Sequence, residues 1–191
     1  QQHEQACWHE TTSTCNVEMT QEWHLTRSQY ESYKLLKTAG DAKLLTFLSG
    51  EGGMGKSLLI RLLVQHWRAS GKRVLICASS AKAARLIGGH TVHSAFDLHQ
   101  YGGFYETQLN GSRKHCEQWA WLYTRDIIII DEISMLTSGL LHGVNHALNN
   151  VMSLSMSHVS NVSFGGKSIL AVGDLFQLPA VERFRFNEQA I

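Results

Sequence analysis

The sequence lacks most of the features that mark unusual classes of protein. Its 191 residues include one proline, 17% are charged and 43% are apolar, a composition that excludes collagens, coiled coils and disordered tails. The apolar stretch at 58–64 is interrupted by Arg61, and no run of 18 apolar residues occurs, so no membrane span is predicted. The length predicts one domain, because a typical domain has ~150 residues.

Zinc and redox motifs are also missing. The four cysteines form no CxxC pair: they are Cys7, Cys15, Cys77 and Cys116. Reduced thiols in an intracellular protein are the favoured interpretation. The polar segment 1–24 has histidines and cysteines at no standard zinc spacing, and it is expected to be loosely ordered. No basic and then apolar leader follows Gln1, so no signal peptide is predicted, and we expect the sequence to be part of a longer one.

Acidic residues are absent from one long stretch. The net charge is only +1, which by itself does not indicate a nucleic-acid binder. Between Glu51 and Asp97, however, there is no acidic residue, while seven lysines and arginines occur there. The rest of the chain carries ten basic and sixteen acidic residues. One part of the chain is therefore expected to face anions.

Apolar residues alternate between strand-like and helix-like spacing along the chain. Short apolar runs predict buried strands at 43–48, 73–78, 126–131 and 168–173. Helical spacing predicts helices from Leu25 to Gly40 and at 57–67, 81–87 and 136–148. The four consecutive isoleucines of Ile127–Ile130 need cover on both faces. This alternation predicts an α/β fold with a parallel sheet and helices on both sides.

Two stretches show no clear period. Residues 97–125 combine aromatic rings with Arg113 and Lys114, so they either face nucleic acid, with rings stacking on bases, or cover the sheet. The aromatic residues are Tyr101, Phe104, Tyr105, Trp119 and Trp121. Residues 151–163 are rich in serine, methionine and asparagine, and a loop is expected there.

A phosphate-binding pattern lies between the first predicted strand and the next helix. Residues 50–57, GEGGMGKS, fit GxxxxGK followed by Ser or Thr. Glycines let successive N–H groups turn towards phosphates, and the helix start adds its positive dipole end. Lys56 is expected to neutralise the β and γ phosphates, and Ser57 to bind Mg²⁺; the alternative is a ligand-free glycine turn. The residues predicted to bind the nucleotide are Gly50, Gly52, Gly53, Met54, Gly55, Lys56 and Ser57.

Carboxylates and an amide follow two other predicted strands. Asp131 and Glu132 come directly after Ile127–Ile130, and Gln177 follows the strand at 168–173. In a parallel sheet such strand ends meet at the edge where ligands bind. Asp131 is expected to hold Mg²⁺, and Glu132 to deprotonate the attacking water. The Gln177 amide can donate to a γ-phosphate, although at this point a simple turn explains it equally well.

The order of four segments resembles the first motor domain of the PIF-type DNA helicases, a superfamily-one group that includes Helitron helicases. The segments are GGMGKS, AKAARLIGGHTVHSAF, DEISM and FGGKSILAVGDLFQLPAV. The resemblance runs from about Leu25 to Val181. It implies that residues 25–191 form a P-loop NTPase with a RecA-like three-layer fold around a mainly parallel sheet. It also implies 5′ to 3′ DNA unwinding in repair, recombination, telomere maintenance or transposition.

The resemblance also implies roles for individual residues. Gln29 matches a glutamine that contacts the adenine edge. Asp131 and Glu132 match the metal-binding and catalytic acids, and Gln177 matches the γ-phosphate sensor. The implied contacts to single-stranded DNA are His93, Ser94 and Phe96. The expected ligands are therefore ATP, Mg²⁺ and single-stranded DNA, with no membrane partner.

The sequence departs from the family pattern in three ways. Met54 replaces a small polar residue, and residues 80–84, SAKAA, stand where TGIAA is usual. The second motor domain, whose arginines complete the ATP site, is absent from this sequence, and Arg183 and Arg185 are not expected to replace them. Because arginine fingers contribute ~10³ to 10⁵ in rate, the chain is expected to bind ATP but to hydrolyse it poorly.

Two other functions stay open from the residues alone. An inactive transposon-derived fragment would bind ATP or single-stranded DNA without unwinding. A P-loop phosphotransferase acting on a small molecule is disfavoured, because no arginine-rich lid is visible and the DEISM and GDLFQLP segments would have no role.

Overall fold

A short hairpin precedes the first helix. The computed structural model describes residues 14–17, 23–98, 113–153, 162–174 and 176–177. Within these ranges, strands β1 (Thr14–Val17) and β2 (Trp23–Thr26) pair antiparallel. The expectation of a loosely ordered N-terminal segment is wrong for these residues, because the backbone groups of the two strands pair with each other. Leu25, expected to start a helix, lies in β2 and is fully buried.

Helix α1 (Arg27–Asp41) begins two residues later than expected because Thr26 caps it. The Thr26 hydroxyl accepts a hydrogen bond from the Gln29 backbone N–H (3.4 Å). In return, Gln29 Oε1 accepts one from the Thr26 backbone N–H (2.9 Å). This reciprocal pair is a capping box, and it fixes the Gln29 side chain against the start of the helix.

The central sheet contains five parallel strands, which confirms the predicted α/β architecture. They are β3 (Leu45–Ser49), β4 (Val74–Ala78), β5 (His90–Thr91), β6 (Ile127–Asp131) and β7 (Ser168–Gly173). Their order across the sheet is β3-β7-β6-β4-β5. Four of them lie within two residues of the predicted positions, and β5 is an addition. Because β7 lies between β3 and β6, the carboxyl ends of these three strands are neighbours.

Helices cover both faces of this sheet. They are α2 (Lys56–Ala69), α3 (Ala81–Ile87), α4 (Val92–Phe96), α5 (Arg113–Tyr123) and α6 (Ser138–Ser153), with 3-10 turns at Ile133–Met135 and Ser163–Gly166. Part of the loop expected at 151–163 is helical, since α6 continues to Ser153. None of the described helices combines the length and the apolar character needed to span a bilayer.

Alternate residues of β6 enter two separate cores. Ile127 and Ile129 pack against α1, α2 and α3, while Ile128 and Ile130 pack against α4, α5 and α6. All four isoleucines are at most 1% exposed. The prediction that this run is covered on both faces is therefore confirmed, and β6 has no freedom to shift its register.

Strand β3 differs from the buried strand that its apolar run predicts. It lies at the edge of the sheet and pairs only with β7. Leu45 is 59% exposed and Phe47 is 40% exposed. The correction has a topological reason: among the described residues, no strand pairs with the other side of β3.

The structure describes residues 97–98 and 113–125 of the aromatic stretch. Trp119 and Trp121 lie in α5 and pack, half-buried, against the core formed by α4, α5 and α6. For these two rings, covering the sheet is the interpretation that holds. Tyr101, Phe104 and Tyr105 lie outside the described residues.

Candidate nucleotide-binding site

The glycine-rich loop occupies the carboxyl end of β3. It starts with a hydrogen bond from the Gly50 N–H to the Gly173 carbonyl at the end of β7 (3.2 Å). Gly53 and Gly55 both have φ of 81°, a left-handed conformation that glycine adopts without strain. Gly55 caps α2, and its carbonyl accepts from the N–H groups of Leu58 and Leu59. The loop thus aims the positive end of α2 at its own concave side.

Lys56 folds back onto the same loop. Its ammonium group donates hydrogen bonds to the carbonyl oxygens of Gly50 (2.6 Å) and Glu51 (3.0 Å). Carbonyl groups are weaker acceptors for an ammonium than charged phosphate oxygens are. The geometry therefore holds Lys56 at the centre of the loop, next to the position that the phosphates of a nucleotide would take. Ser57 follows it as the second residue of α2 and is exposed.

Two glutamines flank the loop. Gln29 Nε2 donates to the Met54 carbonyl (2.8 Å), so the capping box of α1 is tied directly to the phosphate-binding loop. Gln177 approaches from the other side: a Cβ added to Gly52 would lie 3.6 Å from Gln177 Nε2. The Gln177 amide thus lies at van der Waals distance from position 52 of the loop.

Asp131 and Glu132 lie at the end of β6. Burial raises the pKa of the Asp131 carboxyl, and the neighbouring Glu132 charge raises it further. The Glu132 N–H, which donates to Asp131 Oδ1 (2.9 Å), and the positive charge of Lys56 act in the opposite direction. Lys56 therefore lies close enough to Asp131 for its charge to act on this carboxyl.

Glu132 has an unusual backbone and side chain. Its φ and ψ are 54° and 43°, a left-handed conformation that is rare for a residue with a Cβ and often found at functional sites. Its Oε2 atom is buried and has no hydrogen-bond partner among the described residues. A buried acceptor without a donor destabilises a fold by ~1 to 3 kcal/mol, so this acid is placed for something other than stability.

The turn after β6 touches the end of β7. A Cβ added to Gly173 would lie 3.0 Å from Ile133 Cγ2 and 3.4 Å from the backbone nitrogens of Ile133 and Ser134. Asp174 follows, 5% exposed, and its Oδ1 accepts from the Phe176 N–H (3.0 Å). The segment that carries Gln177 is therefore packed against the segment that carries Glu132.

The predicted single-strand contacts lie on the short helix α4. Thr91 caps it: the Thr91 hydroxyl accepts from the Ser94 N–H (3.2 Å) and donates to Ser94 Oγ (2.9 Å). Ser94 is exposed, whereas His93 is half-buried and its Nε2 has no partner among the described residues. Gln118 of α5, which sequence reasoning missed, donates to the carbonyls of Ser94 and Ala95.

Phe96 does not fit the expected contact with a base. It is 3% exposed and packs in the core formed by α4, α5 and α6. The physical reason is that α4 is amphipathic over one turn and directs Val92, Ala95 and Phe96 inwards together. The ring anchors α4 to the sheet, and Ser94 is the member of the predicted trio that faces solvent.

The described site thus combines a phosphate-binding loop on β3, two acids on β6 and an amide after β7, all at one edge of a parallel sheet. This arrangement defines a P-loop nucleotide-binding domain. The model of the PIF1-like helicase family matches residues 24–189, and the chain belongs to this family.

Relatives and solved structures agree with this assignment. The chain is 38% identical over 140 residues to the ATP-dependent DNA helicase Pif1 of Campylobacter jejuni, an alignment that covers 71% of this chain and 29% of that protein. The crystal structure of Pif1 helicase from Candida albicans has a TM-score of 0.69 and 31% identity, covering 82% of this chain and 34% of that one.

Pif1 helicase from Bacteroides in complex with ADP-AlF3 and ssDNA has a TM-score of 0.65 and 26% identity, covering 88% of this chain and 36% of that one. These likenesses confirm the RecA-like fold. The chain spans less than a third of the length of the Campylobacter relative.

Proposed function

We propose that this chain is the ATP-binding motor domain of a DNA helicase that tracks along single-stranded DNA with 5′ to 3′ polarity, and that the domain comprises residues 25–191. The observation that carries the proposal is the meeting of Lys56, Asp131 and Gln177 at one edge of the sheet. These are the groups that phosphate binding, metal binding and γ-phosphate sensing require. DNA as substrate places the protein in a DNA-containing compartment, the nucleus or mitochondrion in a eukaryote.

Nucleotide binding begins with the loop. The backbone N–H groups of residues 50–57 surround the phosphates, and Lys56 exchanges its two carbonyl acceptors for phosphate oxygens. Gln29 lies on the opposite side of the loop, where its amide is within reach of a base as well as of the Met54 carbonyl. Gly53, Gly55 and the other loop positions act through their backbone, so Met54 in place of a small polar residue removes no ligand.

The site also fits Mg²⁺. Asp131 is an oxygen ligand 6% exposed at a strand end, and Ser57 supplies a hydroxyl at the start of α2. When bound, the metal supplies positive charge that stabilises the transferring phosphoryl group. A cation beside Asp131 also stabilises the ionised carboxylate against the burial that raises its pKa.

Glu132 is the proposed general base. Its buried, unpartnered Oε2 can accept a hydrogen bond from the attacking water and then its proton. Gln177 donates to the γ-phosphate, and loss of that phosphate removes its partner. Because Gly173 packs on Ile133 and Ser134, movement of the Gln177 segment is transmitted to the segment of Glu132.

Movement on DNA requires more than this domain. We propose that Ser94 and His93 bind the single strand on α4, and that closure of a second RecA-like domain supplies the arginines that complete the ATP site. The isolated chain then binds nucleotide and single-stranded DNA but turns ATP over slowly, because an arginine finger contributes ~10³ to 10⁵ in rate.

Substitution of Lys56 tests the proposal. We expect Lys56→Ala to weaken binding of a fluorescent ADP analogue by roughly 10- to 100-fold, since it removes hydrogen bonds from a charged group. Lys34→Ala, which removes an exposed lysine on α1, is the matched control and should bind as the unmodified chain does. Equal affinity of Lys56→Ala and the control would overturn the proposal.

A second measurement separates a motor from a fragment that merely binds its ligands. Affinity for a fluorescent single-stranded oligonucleotide is measured with and without a non-hydrolysable ATP analogue. A motor domain should show a change in DNA affinity when nucleotide binds, because the two sites are energetically linked. Binding of both ligands without any coupling would favour the inactive transposon-derived fragment.

A further inference from the structure

The amino ends of the strands carry a row of cations that the nucleotide site does not use. Each of the four neighbouring strands β3, β7, β6 and β4 is preceded within two residues by a lysine or arginine. In sheet order these residues are Lys43, Lys167, Arg125 and the pair Lys72 and Arg73. With strands ~4.8 Å apart, the row is about 14 Å long. Because a sheet has only a small net dipole, its backbone does not stabilise positive charge at the amino ends of the strands.

The row lines an open cleft of about 310 Å³. Lys43, Lys72, Arg125 and Lys167 all contribute to its walls, and the acid among its lining residues is Asp126. That acid is already engaged, because Asp126 Oδ2 accepts from the backbone N–H (2.7 Å) and the Nε (3.3 Å) of Arg73. We call this feature the basic cleft. Its positive charge exceeds its negative charge, and its one carboxylate is neutralised.

Of the four cations that line the cleft, two have partners for their side chains and two do not. Lys167 Nζ donates to the Tyr123 carbonyl (2.7 Å), and Arg125 Nε donates to the Trp121 carbonyl (3.0 Å). These bonds hold the heads of Lys167 and Arg125 inside the cleft. The ammonium groups of Lys43 and Lys72 make no hydrogen bond or ion pair with any described residue, and these lysines lie towards opposite ends of the row.

Holding these charges together is unfavourable without a ligand. Burial lowers the pKa of Arg125, and so does repulsion by Arg73 and Arg68, against a smaller attraction to Asp126. Burial also lowers the pKa of Lys167, against an attraction to Asp126 and with a smaller repulsion from Arg73. Like charges that are desolvated side by side raise the local potential and attract a polyanion.

We infer that the basic cleft binds the phosphate backbone of double-stranded nucleic acid, as a contact separate from the single-strand contact on α4. The inference rests on the proposed function, in which DNA is the polyanion that this domain handles. In strands of five residues, the amino ends and the carboxyl ends lie ~17 Å apart. A single strand of DNA that lies along the carboxyl ends of the strands therefore does not touch the cleft. The double-stranded part of the DNA is a separate body, and it can reach the cleft.

The chemistry of the cleft suits a duplex better than a small anion. No described helix starts in it, so it lacks the converging N–H groups that bind isolated phosphates. Its free groups are lysines, which act as flexible point charges rather than as planar forks. A duplex presents one negative charge per ~1.7 Å of axis, about eight along a row of 14 Å.

Charge reversal tests the inference in the full chain. We expect Lys43→Glu and Lys72→Glu each to weaken binding of a fluorescent 16-base-pair duplex by about tenfold at low salt. The slope of log affinity against log salt should fall by ~1 for each variant. Affinity for single-stranded oligonucleotide and for nucleotide should stay unchanged, because those sites lie at the other edge of the sheet. Lys34→Glu, with the same charge change on the outer surface of α1, should leave duplex binding as it is.

Three outcomes would overturn the inference. Duplex binding could be insensitive to both variants, or Lys34→Glu could weaken it equally, which would show a general effect of net charge. Competition by polyglutamate as strong as that by duplex DNA at equal charge concentration would point to an acidic protein partner instead. None of these results depends on Lys56, so failure here and failure of the proposed function are distinguishable.

Discussion

One strand carries two aspartates in opposite situations. Asp126 precedes β6 at the amino edge of the sheet, and Asp131 ends it at the carboxyl edge. The pKa of Asp126 is lowered: burial alone would raise it, but the Arg73 hydrogen bonds and the charges of Arg73 and Lys167 outweigh burial. The pKa of Asp131 is raised by burial, which outweighs the Glu132 N–H bond and the charge of Lys56. The same strand thus has an ion-paired aspartate before its first residue and, as its last residue, a buried aspartate whose burial outweighs its stabilising contacts.

The two ends of β6 differ in whether their polar groups contribute to the stability of the fold or to chemistry. At the amino edge, the Asp126 carboxylate finds its partner within the fold, in Arg73. At the carboxyl edge, Glu132 has a left-handed backbone and a buried oxygen without a described partner. Unsatisfied groups of this kind persist where a ligand completes them. Changes of Glu132 should therefore affect nucleotide chemistry, and changes of the Asp126 and Arg73 pair should affect the stability of the fold.

Glu132→Gln should give the largest effect. The variant keeps the size and one acceptor of the side chain but removes the base, so hydrolysis should fall by ~10² to 10⁴. Nucleotide affinity should be unchanged, and the melting temperature should be equal or higher because a buried charge is lost. Single-turnover hydrolysis with bound single-stranded DNA measures the rate. Glu51→Gln, which changes an exposed acid of the glycine-rich loop, is the control, and equal rates for both variants would contradict the assignment.

Gly40→Ala tests the stability side of the comparison. Gly40 lies near the end of α1, and a Cβ there would overlap the indole ring of Trp67, which is fully buried in α2. Because the ring cannot move aside, we expect a loss of about 3 kcal/mol in the free energy of unfolding, measured by urea denaturation. Nucleotide affinity of the folded protein should be retained, since Gln29 lies three turns away at the other end of α1.

Gly139→Ala is the matched control for this substitution. Gly139 is helical like Gly40, but it is exposed. A Cβ added to Gly139 would have only Thr137 Oγ1 within 4 Å, at 3.9 Å. The alanine should stabilise the protein by ~0.5 to 1 kcal/mol through the unfolded chain. If both alanine variants had the same stability, the close packing of α1 on α2 would not be the reason for glycine at position 40.

The sequence predicts the carboxyl edge better than the rest of the molecule. Glycines, Lys56 and strand-end acids follow local patterns with a direct chemical reason, so their positions could be predicted. The capping box of Thr26 and Gln29 was also visible as T-x-x-Q, a signal that would have placed the helix start correctly. The role of Gln29 in holding the Met54 carbonyl is not visible in the sequence, because it joins residues far apart in the chain.

Other features depend on tertiary packing that no local pattern records. Phe96 lies in a motif associated with DNA, yet its ring is buried because it lies on the inward face of α4 with Val92 and Ala95. Leu45 and Phe47 have the apolar character of a core strand, yet the strand order places β3 at an edge. Strand order is decided by crossovers over tens of residues, so a single apolar run predicts a strand but not its neighbours.

Asp126→Asn should give the smallest effect and the clearest dependence on pH. The folded-state pKa of Asp126 lies below its unfolded value of ~3.9, so its charge stabilises the fold above that pH and the stabilisation is lost as the pH falls through the folded-state pKa. Asparagine keeps an acceptor for the Arg73 N–H and removes only the charge. Because the pair is partly exposed and screened by solvent, we expect a loss of roughly 1 kcal/mol at pH 7.

Melting temperatures of Asp126→Asn and the unmodified chain, measured from pH 7 to pH 3, provide the test. The difference should be constant down to about pH 5 and should shrink below pH 4, where the unmodified carboxyl becomes protonated. It should also shrink at high salt, since Arg73 and Asp126 are both partly exposed. A difference that stays constant over this whole range would show that hydrogen bonding rather than charge stabilises the amino edge, and the contrast between the two aspartates would then lose its electrostatic basis.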